Sequence, residues 1–227
     1  MPVEAAIFDV DGTLVDSVHL HARAWQEAFA RFGRRVAFEE VRAQIGKGGD
    51  QLMPVFLSQD ELALRGKAIE EYRSQLWTDR YLKQVRAFPQ VRDLIQRLQR
   101  RGVRVALASS AKGDELAVYK QIADIDDLIE AETSADDAAR SKPHPDIFAA
   151  AVRRLEASKE DCLVIGDTPW DAIAARRLGV RSLGVLCGGF AEADLRGAGC
   201  IEIYRDPADL LARLDDSPLL RAGGSVP

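Results

Sequence analysis

The run Ala5-Ala6-Ile7-Phe8 leads directly into Asp9-Val10-Asp11-Gly12, and this junction constrains the chain more than any other stretch. Four apolar residues without polar alternation read as a strand covered on both faces, the mark of a parallel sheet. In an extended chain, residues i and i+2 point to the same side. Asp9 and Asp11 therefore leave the strand tip side by side, where open α/β sheets bind ligands. Adjacent carboxylates repel, so the pair calls for a cation or a shared proton. A loop of solvated aspartates is the plain alternative; a buried strand that ends in paired acids argues against it.

After Asp16-Ser17, read as helix caps and hinge residues, the pattern turns helical. Helices are predicted over 18–32, 39–45, from near 50, and over 59–80, with no strand between 17 and about 84. From Pro89 onward helices (89–101, 112–123, 145–155, 169–178 and 207–214) alternate with strands (103–108, 127–131, 162–165, 180–186 and 201–204). This alternation indicates βαβ units. The expected fold is α/β: a doubly wound, Rossmann-like, mostly parallel sheet core (1–15 and 86–227) carrying an inserted α-helical cap (16–85). The tail from Asp215, with Pro218 and Gly223-Gly224, is expected to be loose.

A net charge of −5 over 227 residues argues against nucleic acid as a partner. The first apolar run is broken at Asp9, too early for a signal peptide or a membrane span. Three cysteines, an odd number at no metal-ligand spacing, read as reduced thiols of a cytoplasmic protein. His19 and His21 lie two apart on a helix and are not a metal pair. A monomer or small homo-oligomer is expected.

The other predicted strands also end in polar residues. Strand 103–108 runs into Ser109-Ser110, and strand 162–165 into Gly166-Asp167-Thr168-Pro169-Trp170-Asp171. Lys142 lies between them in Ser141-Lys142-Pro143-His144-Pro145. Gathered at one edge, these groups suit phosphoryl transfer to a carboxylate. A Mg²⁺ held by Asp9, Asp167 and the Asp11 backbone carbonyl would offset the repulsion between nucleophile and phosphate. Lys142 would neutralise the transferring group, and Ser109 would donate a hydrogen bond to it. Asp9 is the expected nucleophile and Asp11 the expected acid–base group. Gly12 joins the residues expected to contact a small phosphorylated metabolite.

These motifs (Asp9-Val10-Asp11-Gly12-Thr13, Ser109, Lys142 in Ser-Lys-Pro-His-Pro-Asp, and Gly-Asp-Thr-Pro-Trp-Asp) stand in the order and spacing of the haloacid dehalogenase superfamily, which the chain resembles over nearly its whole length. The helical insert resembles the cap of the phosphoglycolate phosphatase and β-phosphoglucomutase branch. The resemblance implies phosphate ester chemistry, because dehalogenases carry a tyrosine at the position of Asp11 and phosphonate-cleaving members an alanine. It also suggests His21 as the residue that positions the acid–base aspartate, and Lys47, in Gly46-Lys47-Gly48-Gly49-Asp50, as a contact for the far end of the substrate. A surface histidine and a flexible glycine linker are the plain alternatives.

Asp171 has two compatible readings: a place in the metal shell or beside Lys142, and a helix cap with Thr168. Ser110 reads as a helix cap, His144 as loop filler, and Trp25 and Trp77 as core. A Mg²⁺-dependent phosphomonoesterase is the leading functional reading. A sugar-phosphate mutase is the alternative, and a receiver-like phosphoacceptor is the non-enzymatic one.

Overall fold

A computed structural model describes residues 3–221. In chain order its strands are β1 (Ala5–Phe8), β2 (Val15–Asp16), β3 (Arg86–Ala87), β4 (Arg104–Ala108), β5 (Ala131–Thr133), β6 (Cys162–Gly166), β7 (Arg181–Val185) and β8 (Cys200–Tyr204). Six of them form one sheet in the order β5-β4-β1-β6-β7-β8, with every pairing parallel. The chain moves outward from β1 through β4 to β5, then returns on the other side of β1 as β6. The order therefore reverses beside β1, which places a crevice at its C-terminal tip.

All four β1 residues are buried. Ala6 and Phe8 face one layer of helices, α6 (Val91–Arg100) and α7 (Gly113–Ala123). Ala5 and Ile7 face the other, α8 (Asp146–Leu155) and α9 (Pro169–Leu178). This two-sided cover is why the strand lacks polar alternation. Burial of a side chain such as Phe8 stabilises by about 1.5–3 kcal/mol.

Between β2 and β3 the chain is helical: α1 (Val18–Arg31), α2 (Phe38–Arg42), α3 (Gly49–Phe56), α4 (Gln59–Glu61) and α5 (Lys67–Leu76). Its apolar residues, among them Trp25, Phe29, Leu52 and Ile69, form a cluster of their own. The helix predicted over 59–80 is interrupted by π-turns at Leu62–Gly66 and Trp77–Tyr81. The antiparallel ribbon β2–β3 closes the base of this insert.

Three sequence-based expectations are corrected. The strand predicted over 127–131 begins only at Ala131. The residues before it form a 3₁₀ turn, Asp126–Leu128, next to Ile125, which is buried in the core. The tail expected to be loose from Asp215 stays packed as far as Arg221: Leu219 is buried in the core and Ser217 Oγ donates to the Leu214 carbonyl at 2.7 Å. The remainder of that tail, 222–227, lies outside the described residues. A helix absent from the sequence reading, α10 (Glu192–Ala198), precedes β8, and α11 (Pro207–Ala212) follows it. No helix among the described residues is long and apolar enough to cross a membrane.

Candidate active site

The tips of β1, β4 and β6 bring Asp9, Asp11, Ser109 and Asp167 to one place, and the loop before α8 adds Lys142. Lys142 is fully buried. Its Nζ lies 2.5 Å from Asp9 Oδ1 and 2.8 Å from Asp171 Oδ1, and donates to the Ala108 carbonyl at 3.1 Å. Burial alone would lower this lysine, but Asp171 and Asp9 more than reverse that and hold the ammonium above its ordinary range. Asp171 also caps α9: its Oδ2 accepts from the Thr168 N–H at 3.1 Å and the Thr168 hydroxyl at 2.6 Å. It thus pairs with the lysine and caps the helix at once.

Asp9 is buried, and burial first, then Asp171 and Asp11, push its carboxyl up to about 7 against the pull of Lys142. Asp167 is raised as well, by burial and by Asp9 and Asp171. Thr13 Oγ1 bridges the two, 3.3 Å from Asp9 Oδ2 and 3.2 Å from Asp167 Oδ1. Asp167 Oδ2 is buried without a partner. The backbones of Gly12 and Gly188 press against it, so a Cβ at either position would overlap that carboxylate.

Asp11 lives in different surroundings. Its Oδ1 accepts from Ser17 Oγ at 2.6 Å and contacts His21 Nε2 at 2.8 Å, while Ser109 Oγ lies 3.5 Å from Oδ2. Burial works to raise this carboxyl, but the His21 ring, aided by Ser17 and Tyr119, brings it down to about 2. On its other edge, His21 Nδ1 meets Arg73 Nη2 at 2.5 Å. A guanidinium has only donors, so Nδ1 accepts and the proton of a neutral ring sits on Nε2, toward Asp11. His21 stacks on Trp77 with centroids 3.6 Å apart, and Nε2 also lies 3.1 Å from the Tyr119 hydroxyl.

A cavity of about 640 Å³ opens between the sheet edge and the helical insert. Asp9, Asp11, His21, Lys47 and Arg73 all line it. Gly12 is not among the residues that line it; its backbone packs against Asp167 and Val18 instead. Lys47 Nζ donates to Gln44 Oε1 at 2.6 Å and rests 3.9 Å above the Trp170 ring, so in this conformation it joins the insert to the core. Ser110 does not cap α7: its Oγ donates to the Gly46 carbonyl at 3.4 Å, and Lys112 holds the cap position. Ser17 occupies the N-cap of α1 without a capping hydrogen bond, because its hydroxyl is spent on Asp11. Trp25 and Trp77 are buried as expected, yet both also line the cavity. The sequence reading missed Arg73, Tyr119 and Glu115, which stand 52, 98 and 94 residues from His21, the group they touch.

The donor set fits a hard divalent cation. Asp9, Asp167 and Asp171 each offer a carboxylate oxygen within 4.8 Å of the others. One ammonium faces these three buried carboxylates, and Asp167 keeps an unpartnered oxygen. Asp171 is already committed to Lys142 and Thr168, which leaves Asp9 and Asp167 as the side chains to hold an ion. Oxygen donors of this kind suit Mg²⁺.

Comparison with known proteins agrees with this geometry. The model of the haloacid dehalogenase-like hydrolases matches residues 3–179. A provisionally named pyrophosphatase PpaX of Caldanaerobacter subterraneus subsp. tengcongensis is 27% identical over 186 residues, 82% of each chain. The crystal structure of a hydrolase from Pseudomonas syringae is 31% identical and superposes with a TM-score of 0.86 over 93% of this chain and 98% of its own. A Deinococcus radiodurans hydrolase of the same family, with bound phosphate and sodium, shares the fold at 24% identity and a TM-score of 0.71, covering 98% of this chain and 99% of its own. The chain belongs to the haloacid dehalogenase-like hydrolases and is a hydrolytic enzyme.

Proposed function

We propose that this enzyme hydrolyses a small phosphate monoester with the help of Mg²⁺, through an aspartyl-phosphate on Asp9. It is a phosphatase in class; the metal, the intermediate and the assignment of roles are our reading. The observation that carries it is the separation of the two strand-tip acids. Asp9 is fixed by the Lys142 ammonium at 2.5 Å, whereas Asp11 is turned to His21 at 2.8 Å. In the first step an Asp9 oxygen attacks phosphorus, the ester P–O bond breaks, and Asp11 protonates the departing oxygen. In the second, water attacks phosphorus, Asp11 takes its proton, and the Asp9 O–P bond breaks. The arriving phosphate raises Asp11 by adding negative charge beside it, which favours the proton it must donate. Lys142 and Ser109 would balance and orient the phosphoryl oxygens. A bound Mg²⁺, held by Asp9, Asp167 and the Asp11 carbonyl, would supply charge neutralisation between nucleophile and phosphate.

In this reading residues 16–85 form the cap that sets the leaving group, and 1–15 with 86–227 form the core. A cytoplasmic monomer or small homo-oligomer acting on a free metabolite is the matching setting. The pyrophosphatase name of one relative places inorganic pyrophosphate on the substrate screen beside phosphoglycolate, sugar phosphates and nucleotides. Asp9→Asn should abolish turnover of p-nitrophenyl phosphate while circular dichroism stays native, and EDTA should stop the wild type. Appreciable activity in the variant sinks the nucleophile assignment. The His21–Asp11 contact also keeps a sugar-phosphate mutase in view. Formation of glucose 6-phosphate from β-glucose 1-phosphate with a bisphosphate primer would decide for it.

A further inference from the structure

We propose that Arg42, at the end of α2 in the insert, is a positioning residue for Asp167: it holds the Gly188–Gly189 turn against that carboxylate, so that seating of the insert and binding of the cation are coupled. This rests on the reading above in which Asp9 and Asp167 hold Mg²⁺.

The turn follows β7 and is fixed to the core at its base. The Gly189 N–H donates to the Leu186 carbonyl at 2.9 Å, and the Leu186 N–H donates to the Tyr204 carbonyl at 3.0 Å, at the end of β8. Its two glycines face different partners. Gly188 is buried, and a Cβ there would overlap Asp167 Oδ2. Gly189 is exposed and left-handed, with φ of +87°, and a Cβ there would come within 2.6 Å of Arg42 Nη1. The first glycine admits the carboxylate; the second forms the bend and admits the guanidinium.

Arg42 Nη1 donates to the Gly189 carbonyl at 3.0 Å, across 147 residues of sequence. Its Nε donates to Glu39 Oε2 at 2.9 Å, one turn back on the same helix, which orients the planar fork toward the core. Other contacts of the insert reach other loops: Gly46 meets Ser110, Asp50 meets Ser141, and Lys47 rests on Trp170. The Arg42 contact reaches the turn that walls Asp167.

Asp167 depends on that wall. Its Oδ1 accepts from Thr13, but Oδ2 has no partner to fix it, so close packing against the backbones of Gly12 and Gly188 limits its rotation. Lifting the turn opens that side and lets the carboxylate swing away from Asp9. Groups that orient a metal ligand govern affinity together with the ligand itself. The coupling is reciprocal: a seated insert strengthens the cation site, and a bound cation steadies the seated insert.

The test measures Mg²⁺ binding by titration calorimetry, without substrate, on the wild type, Arg42→Met and Arg42→Lys. Arg42→Met should raise the Mg²⁺ Kd by about two- to tenfold, as expected for loss of one partly exposed hydrogen bond. Arg42→Lys, which keeps a donor, should recover part of the loss. Amide hydrogen exchange gives a readout that needs no variant. In the wild type Mg²⁺ should slow exchange both in the turn, 186–190, and in the insert, 38–50. In Arg42→Met the slowing should persist in the turn and vanish from 38–50. Equal Kd in the wild type and Arg42→Met, or exchange over 38–50 that ignores Mg²⁺ in the wild type, overturns the proposal. A wild type that binds no Mg²⁺ overturns the metal site proposed above instead.

Discussion

His21 Nε2 lies 2.8 Å from Asp11 Oδ1, which ties a helix of the insert to the tip of the central strand. His21 sits one turn into α1, whereas Asp11 follows β1 directly. The orientation of the proposed acid–base group thus depends on where the insert lies. Seating of α1 and orientation of Asp11 are one event, which suits a site that must exclude water before it reacts.

Replacing His21 tests this dependence. His21→Gln should lower kcat by about 10²-fold, at the low end of what a general acid–base group contributes, with a smaller change in KM. Asp11, freed of the ring that depresses it, should titrate higher, so the acidic limb of the kcat profile should move up in pH. A profile identical to wild type would show that the contact does not govern Asp11.

Beyond its proposed role toward the phosphoryl group, Lys142 should stabilise the fold. Removing it by Lys142→Met leaves Asp9, Asp167 and Asp171 buried together with no cation. Breaking a buried pair in this way costs about 3–5 kcal/mol. In a chain of this size each kcal/mol moves Tm by about 2–4 °C, so thermal unfolding should show a drop of roughly 6–20 °C. The loss should be smaller at acid pH, where the carboxyls protonate. An unchanged Tm at neutral pH would mean that the lysine is not the counter-charge described here.

The strand β1 with its two acids, the parallel sheet and the loops that end β4 and β6 were legible because each leaves a local mark: an apolar run, a turn residue, a cap. The ribbon β2–β3 was not, since two residues per strand carry no period. The helix α10 is only seven residues long and holds Gly197, so its pattern is too short to read. Within the site, Asp9, Asp11 and Asp167 announce themselves by lying at strand ends. Arg73 and Tyr119 come from helices whose own periodicity speaks only of packing, and they reach Asp11 through His21 after the insert folds back. Ser17 was legible as a cap position, but tertiary placement gave its hydroxyl a better partner.

Gly188 guards the carboxylate of Asp167. Gly188→Ala places a methyl group onto Asp167 Oδ2 and must displace either the loop or the acid. The expected outcome is a folded protein whose Mg²⁺ requirement rises by tenfold or more, read both from activity and from the Mg²⁺-induced shift in Tm. Wild-type metal affinity in this variant would remove the glycine from the account.

Asp9 is expected to make stability depend jointly on pH and metal. Its carboxyl is raised from 3.8 to about 7 in the folded protein. Between those values the folded state holds a proton that the unfolded state has released. The contribution of this group to stability is therefore complete below about pH 4, declines as pH rises toward 7, and stays lost above it. A bound cation favours the ionised form and should cancel the decline. Mg²⁺ at a hundred times its dissociation constant adds about 2.7 kcal/mol by mass action. That corresponds to a Tm increase of about 5–10 °C at pH 8. At pH 5 the increase should be smaller, because the ion must first displace the proton. Asp9→Asn, which cannot titrate, should lose most of the difference between the two pH values. Thermal melts of both proteins in EDTA and in Mg²⁺ at pH 5 and pH 8 measure this directly. Equal Mg²⁺ effects at the two pH values in the wild type would show that Asp9 is not a ligand.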